Sequence, residues 1–321
     1  MKPNLFHYAT SELSQDALFL WLINWAKPEH KTANEEIHNL GCDFVRLLID
    51  KDIPITSIQT RKQEKNMDIT VDINNSIYLV VEDKVGSGTH GNQLSKYREI
   101  AREKYGHNRE LCFVYIKTEN ESFSKLRKIQ IEEQYRVINR EDIITLFRKY
   151  ECSIRANDII SDYFDCLLAK QEATNAYQTL PYKEWKDDAW QGLYMELEQK
   201  LGNDAEWKRV SNPKGGFWGL CWNFTKASKI PRMFLQIEDN GKLCIKVEGK
   251  SYRDQYCTLL KNHISSYPEI KFSTRRYGQT MTIAYVDPDT LYGSGCVNVN
   301  LLIERLHRYE ELINTIDKEN Q

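Results

Sequence analysis

The residues of this chain best equipped for chemistry are two acids and a base on two neighbouring apolar runs: Asp68, Glu82 and Lys84. Two carboxylates placed side by side repel each other, and a divalent cation removes that penalty most simply. Mg²⁺ suits such a pair, because it commonly takes one or two carboxylates and leaves other positions for water and phosphate oxygen. An ion held there polarises a phosphoryl group and acidifies a bound water, while a lysine beside it orients that water and offsets charge in the transition state. The chemistry these residue types point to is hydrolysis at phosphorus.

Such a constellation needs elements that bring it together. Ile69, Val71 and Ile73 alternate with polar residues, and Ile77, Leu79 and Val81 take the odd positions of the next run, which predicts two strands joined at Asn74-Asn75-Ser76. Directly opposed residues of an antiparallel pair share a face, so burying both odd-numbered sets requires paired positions whose numbers sum to an even value. A three-residue loop pairs Ile73 with Ile77, and hence Asp68 with Glu82, whose Cβ atoms would lie about 4.5–5.5 Å apart. Lys84 then projects from the face of Glu82, and Asp83 from the other. Ile77–Val81 is almost continuously apolar, which predicts an internal strand delivering Glu-Asp-Lys at its C-terminal end, the usual place for a site in an α/β sheet. Gly86, Gly88 and Gly91 follow, and an amphipathic helix begins near Asn92.

Asp68, Glu82-Asp83-Lys84 and Gln93-Leu94-Ser95-Lys96-Tyr97 together resemble the PD-(D/E)XK nuclease superfamily, in particular its RecB-like and exonuclease-like branch with a Gln-x-x-x-Tyr helix. The opening Ser11-Glu12-Leu13-Ser14-Gln15-Asp16 is similar to that of a group of uncharacterised bacterial members in which a helical Glu faces the metal site. The resemblance spans about residues 5–150. It implies Asp68 and Glu82 as metal ligands, Glu12 as an outer or additional ligand, and the carbonyl of Asp83 completing the metal shell. It further implies Lys84 as the catalytic lysine, Gln93 as a residue that steadies the site, and Tyr97 as one that supports it or touches a substrate phosphate. Mg²⁺ is the implied cofactor, with Mn²⁺ as a substitute, and nucleic acid, DNA first, is the implied partner. Met67 stands where the family name has proline, a residue that shapes backbone and does no chemistry.

Each of these residues also has a plainer reading. Asp with Glu-x-Lys recurs by chance in a chain that is 28% charged, and Glu82 with Lys84 would also suit a strand-end ion pair. Glu12 and Asp16 lie one helical turn apart, as in a solvated helix start. Gln93 and Tyr97 sit at i, i+4, where they could merely pack. His90, in the glycine-rich loop, could reach a metal or a phosphate, although a lone loop histidine more often does neither.

Length and composition set the outer limits. With 321 residues, 41% of them hydrophobic, the chain can bury a sizeable core, and two domains are expected: a nuclease domain over 1–177 and an α+β accessory or substrate-recognition domain over 178–321. A net charge of -2 gives no global nucleic-acid footprint, so phosphate binding must be local. Arg61, Lys62 and Lys65, then Lys96, Arg98, Arg102 and Lys104, flank the proposed site in sequence. The eight cysteines show no C-x-x-C pair or zinc spacing, which fits reduced thiols in a cytoplasm. Ala17–Trp25 is too short to span a bilayer and lacks a cleavable-signal pattern, so it reads as a core helix with no membrane role. Trp185, Trp190, Trp207, Trp218 and Trp222, interleaved with Lys208, Arg209, Lys214 and Lys226, suit base stacking or, more commonly, core packing.

The expected elements are helices at about 11–27 and 33–50, a strand at 54–63, the two hairpin strands, a helix at 92–105, and strands at 111–117 and 135–138. A helix capped by Asn139 follows, with Glu141 and Asp142 in its first turn, then one at about 154–176. This order resembles the restriction-endonuclease-like core, an α/β fold with a mixed central sheet flanked by helices. Beyond a junction at 178–186 come a helix, strands at 220–224, 233–237 and 243–247, a helix near 252–265, two more strands and a terminal helix at 298–316. Asp239-Asn240-Gly241 supplies a hairpin turn between two of these strands. The resulting expectation is an Mg²⁺-dependent DNase working in repair, recombination or foreign-DNA defence. One alternative is a nuclease-fold protein that binds nucleic acid or a protein without cutting, which the joint presence of Asp68, Glu82, Lys84 and Gln93 argues against. An RNase is the other, since recognition of a 2′-hydroxyl has no signature here.

Overall fold

The structure is a computed structural model, and it describes residues 2–86, 91–202, 204–212, 215–225, 232–249, 252–274 and 278–319. Gly88, His90, Lys214 and Lys226 lie outside the described residues. The chain forms two compact units, residues 1–120 with 125–172, and residues 121–124 with 173–321.

The first unit is built on a five-stranded mixed sheet in the order β1-β2-β3-β4-β5. Strands β1 (Ile58–Glu64), β2 (Met67–Ile73) and β3 (Ile77–Lys84) are antiparallel neighbours, whereas β4 (Glu110–Lys117) and β5 (Arg136–Asn139) continue from β3 in parallel. The hairpin has the expected register, with Ile73 opposite Ile77 and Ile69 opposite Val81. Asn74 and Asn75 both take positive φ, 55° and 50°, a region asparagine tolerates better than most residues. The Asn74 side chain pins this turn by accepting from the backbone of Thr56 at 2.7 Å and of Ser57 at 3.1 Å. Strand β1 starts four residues later than expected; the stretch before it includes Pro54, which lacks the N–H a ladder needs.

Every residue of β3 is buried, as a strand covered on both faces requires. Its odd-numbered side chains pack with those of β2 in a core shared by α1 (Glu12–Trp25), α2 (Glu35–Ile49), α5 (Arg140–Arg148), α6 (Glu151–Arg155) and α7 (Asp158–Asn175). Helix α1 buries Leu18, Phe19, Leu22 and Ile23, so the apolar stretch is a core helix, and no helix among the described residues is long and apolar enough to cross a membrane. Tyr78 and Val80 face the other way, against Tyr97 and Ala101 of α3 (Gln93–Tyr105). A helix that was not expected, α4 (Phe123–Ile131), packs Leu126 and Ile129 near Leu94 and Tyr115 on that same layer. Asn139 caps α5 with a reciprocal box to Asp142, an arrangement of about 1 kcal/mol. The single helix expected at 154–176 is instead α6 and α7, divided where the Asn157 side chain accepts from the backbone of Ile160.

The second unit carries a six-stranded antiparallel sheet in the order β10-β11-β9-β8-β7-β6. Its strands are β6 (Glu206–Val210), β7 (Phe217–Trp222), β8 (Met233–Glu238), β9 (Leu243–Glu248), β10 (Lys271–Phe272) and β11 (Thr280–Val286). One face, with Leu220, Trp222, Leu235, Ile245 and Val247, forms a core with α8 (Asp187–Leu201), α9 (Arg253–His263), α10 (Pro288–Tyr292) and α11 (Val299–Glu319). Trp185, Trp190, Trp207 and Trp222 are buried in that core, which leaves only half-buried Trp218 of the five near solvent. Packing, rather than base stacking, accounts for the tryptophan cluster. All eight cysteines are free thiols.

Candidate active site

The hairpin places its acids where the parity of its register requires. Continuing the register one step beyond Ile69 and Val81 sets Asp68 across from Glu82, and the Asp68 carboxylate accepts from the backbone N–H of Asp83 at 3.1 Å. Lys84 shares the face of Glu82, and its Nζ lies 2.8 Å from Glu82 Oε1, 3.5 Å from Asp68 Oδ2 and 3.5 Å from Glu12 Oε2. The same ammonium donates to the carbonyl of Asp83 at 3.1 Å. Three carboxylates and a carbonyl, from α1, β2 and β3, thus converge on one cation supplied by the chain itself.

Burial decides the electrostatics. Glu82 is completely buried, and its carboxyl is raised from 4.5 to about 7, by burial first and by the charge of Asp68 second, with Lys84 opposing both. Burial alone would lower the Lys84 ammonium, but hydrogen bonding to Glu82 and the charges of Glu82, Asp68 and Glu12 outweigh it and raise it above its ordinary value. Lys84 is therefore held protonated.

Helix α3 supplies the support for Glu82. Gln93 Nε2 donates to Glu82 Oε1 at 2.7 Å and to the Tyr97 oxygen at 3.0 Å, while the Tyr97 hydroxyl donates to the carbonyl of Asn66 at 2.6 Å. The i, i+4 pair does more than pack: it links the end of the β1–β2 turn to the buried carboxylate. Tyr97 is itself buried and its hydroxyl is engaged on both sides.

Asp83 points away, as the alternation predicts, so only its backbone faces the site. Its buried carboxyl accepts from Gln15 Nε2 at 2.7 Å, and the Gln15 oxygen accepts in turn from Thr118 Oγ1 at 3.0 Å and from the Tyr163 hydroxyl at 2.7 Å. Burial raises the Asp83 carboxyl well above its ordinary range against the Gln15 hydrogen bond. Gln15, Thr118 and Tyr163 come from α1, the end of β4 and α7, and no local pattern in the sequence marks them as partners. Asp16 corrects the view of α1 as opening on a solvated acidic turn. It is buried, and burial, followed by the charge of Asp68, raises it to about 6. Glu12 remains half-buried beside Lys84.

The donor set fits a hard divalent cation. Glu82 Oε2 is buried with no hydrogen-bond partner among the described residues, while Lys84 Nζ, bonded to the other Glu82 oxygen, also meets Asp68 and the Asp83 carbonyl. No group of three or more His, Cys, Asp or Glu side chains placed to hold a metal ion occurs among the described residues. An ion that keeps most of its water does not need one. Of the basic residues flanking the site in sequence, Lys104 is paired with Glu64 at 2.6 Å, and Arg98 and Arg102 both bond Gln134. Lys62, Lys65 and Lys96 are exposed.

In a comparison with known families, residues 4–202 fit the family model described as the PD-(D/E)XK nuclease superfamily. Comparisons with curated proteins and with solved structures found no match.

Proposed function

Since this chain belongs to the PD-(D/E)XK nuclease superfamily, we propose that it is an Mg²⁺-dependent deoxyribonuclease that hydrolyses phosphodiester bonds with water. The observation that carries this reading is the convergence of Glu82, Asp68 and Glu12 on the Lys84 ammonium, with a buried Glu82 oxygen left without a hydrogen bond among the described residues. Asp68, Glu82 and the Asp83 carbonyl would hold the ion, with Glu12 as an outer or additional ligand. When bound, Mg²⁺, or Mn²⁺ in its place, supplies Lewis acidity toward the phosphoryl oxygen and lowers the pKa of water.

The side chains divide the remaining work. Lys84, raised by its carboxylate neighbours, stays protonated at neutral pH, so it serves as a hydrogen-bond donor to a non-bridging phosphate oxygen and to the attacking water and does not act as the base. Gln93 fixes the rotamer of Glu82, and Tyr97 fixes Gln93 against the Asn66 carbonyl. Gln15 holds the Asp83 side chain and thereby the backbone segment whose N–H and C=O meet Asp68 and Lys84. A nuclease domain over residues 1–177, followed by a domain over 178–321 that tunes substrate choice, completes the proposal, in a repair, recombination or foreign-DNA defence setting.

The test is direct: purified protein is incubated with linear, circular and single-stranded DNA and with RNA, in Mg²⁺, Mn²⁺ or EDTA. Cleavage of DNA that needs the metal is expected. Cleavage confined to RNA would reassign the substrate, and no cleavage under any metal condition would replace the enzyme with a binding protein on the same fold.

A further inference from the structure

Register fixes what the second sheet shows on the face away from its helices. Phe234 pairs with Lys246 and Lys246 with Thr282; Cys221 pairs with Gln236, Gln236 with Cys244, and Cys244 with Tyr285. Paired residues share a face, so these side chains lie opposite Leu220, Leu235 and Ile245 of the core, and Phe217, two residues before Gly219, joins them with Glu238. A cleft of about 750 Å³ opens on this face, lined by Phe217, Lys242, Lys246, Thr282 and Tyr285 among others.

The lining combines flat rings with cations. Lys242 Nζ stands 4.6 Å from the centre of the Tyr285 ring, and Lys246 Nζ 5.8 Å from that of Phe217. Lys246 is buried and neutralises Glu238 at 2.8 Å, which leaves Lys242 as the excess charge of the three. Gly219 lets the Phe217 ring lie close against the strand, because a Cβ there would come to 3.3 Å of the ring and 3.1 Å of Gln236 Nε2. Rings that accept unpaired bases, set beside an ammonium group that accepts a phosphate, are what an unstacked polynucleotide engages, whereas a duplex keeps its base faces to itself.

We infer that this cleft of the second unit binds single-stranded nucleic acid, with bases stacked on Phe217 and Tyr285 and a phosphate at Lys242. The inference deepens the nuclease reading by naming the strand form held outside the matched region, and it rests on that reading only for the identity of the polymer.

The experiment measures equilibrium binding by fluorescence anisotropy in EDTA, with labelled single-stranded DNA, single-stranded RNA and blunt duplex added to the full chain. Because no cleavage is read, a failed cleavage assay and a failed binding assay are separate results. Phe217→Ala with Tyr285→Ala should weaken single-strand binding about fivefold or more per ring, leaving duplex binding unchanged. Phe217→Tyr and Tyr285→Phe should keep the affinity, and Lys242→Glu should weaken it and flatten its salt dependence. The two single-strand arms tell whether DNA or RNA is the better ligand. Unchanged single-strand affinity in the folded double Ala variant overturns the inference; if that variant melts below the assay temperature, unchanged affinity of Lys242→Glu does so instead.

Discussion

Replacing Glu82 by Gln separates the stability of the fold from the chemistry of the site. In the metal-free protein the Glu82 carboxyl is raised from 4.5 to about 7, chiefly because it is buried. Ionising it inside the fold therefore costs up to about 3 kcal/mol more than ionising it in the unfolded chain. The sign follows from proton binding. Between these two values the folded state holds more protons than the unfolded state, so stability falls as pH rises from about 4.5 to about 7 and the loss is complete above that. Gln keeps the shape and carries no charge, so the variant lacks this slope. Its oxygen can still accept from Gln93 and Lys84. In EDTA, urea unfolding should find Glu82→Gln about 1–3 kcal/mol more stable than the wild type at pH 8, and indistinguishable from it near pH 4. Added Mg²⁺ should stabilise the wild type and leave the variant nearly unmoved, because ligand binding to the folded state raises stability only where the ligand binds. Cleavage should be lost in the variant. A variant no more stable than the wild type at pH 8 would refute the argument that a strained buried charge is held there in readiness for a cation.

Other substitutions probe the supports. Lys84→Ala and Asp68→Asn should each leave a folded protein by thermal melt, with cutting abolished in Asp68→Asn and slowed on the order of 10²–10³ in Lys84→Ala. Gln15→Leu strands Asp83, Thr118 and Tyr163 in a buried place and should destabilise the protein by about 2–4 kcal/mol in urea unfolding, so a cost below about 0.5 kcal/mol would show that these groups find other partners. Tyr97→Phe removes the hydrogen bond to the Asn66 carbonyl, and the expected price is about 1 kcal/mol of stability with less than a tenfold change in cleavage rate.

What could be read along the chain is what depends on neighbours in sequence. The alternation of Ile69, Val71 and Ile73 with Ile77, Leu79 and Val81 sets the hairpin register, and that register puts Asp68, Glu82 and Lys84 on one face. Gln93 and Tyr97 meet for the same reason, through one turn of helix. Asn139 announces its helix because a cap and its box lie within four residues. Gln15 escapes such reading, since its value comes from Asp83, Thr118 and Tyr163, which lie 68 to 148 residues away. The burial of Asp16 escapes it too, because an acid in the first turns of a helix ordinarily faces water. Helix α4 (Phe123–Ile131) does space Phe123, Leu126 and Ile129 three apart, but at nine residues with no fully buried side chain the run is too short to stand out.

The Asn74-Asn75 turn gives the site an unusual kind of fragility. Its first residue lies six positions from Asp68, about 20 Å along the strand, and makes no contact with the three site side chains. Yet it fixes the phase of β2 against β3 much as a reading frame fixes codons. Substitutions there disturb local conformation and leave the frame intact, whereas one inserted or deleted residue, with the pairing beyond it shifted by one, turns Asp68 toward the α1 core and carries Ile69 to the face of Lys84. The chain can therefore drift in the identity of its turn residues but not in their number, and a length change in this surface loop would act on the distant acids as surely as replacing one of them.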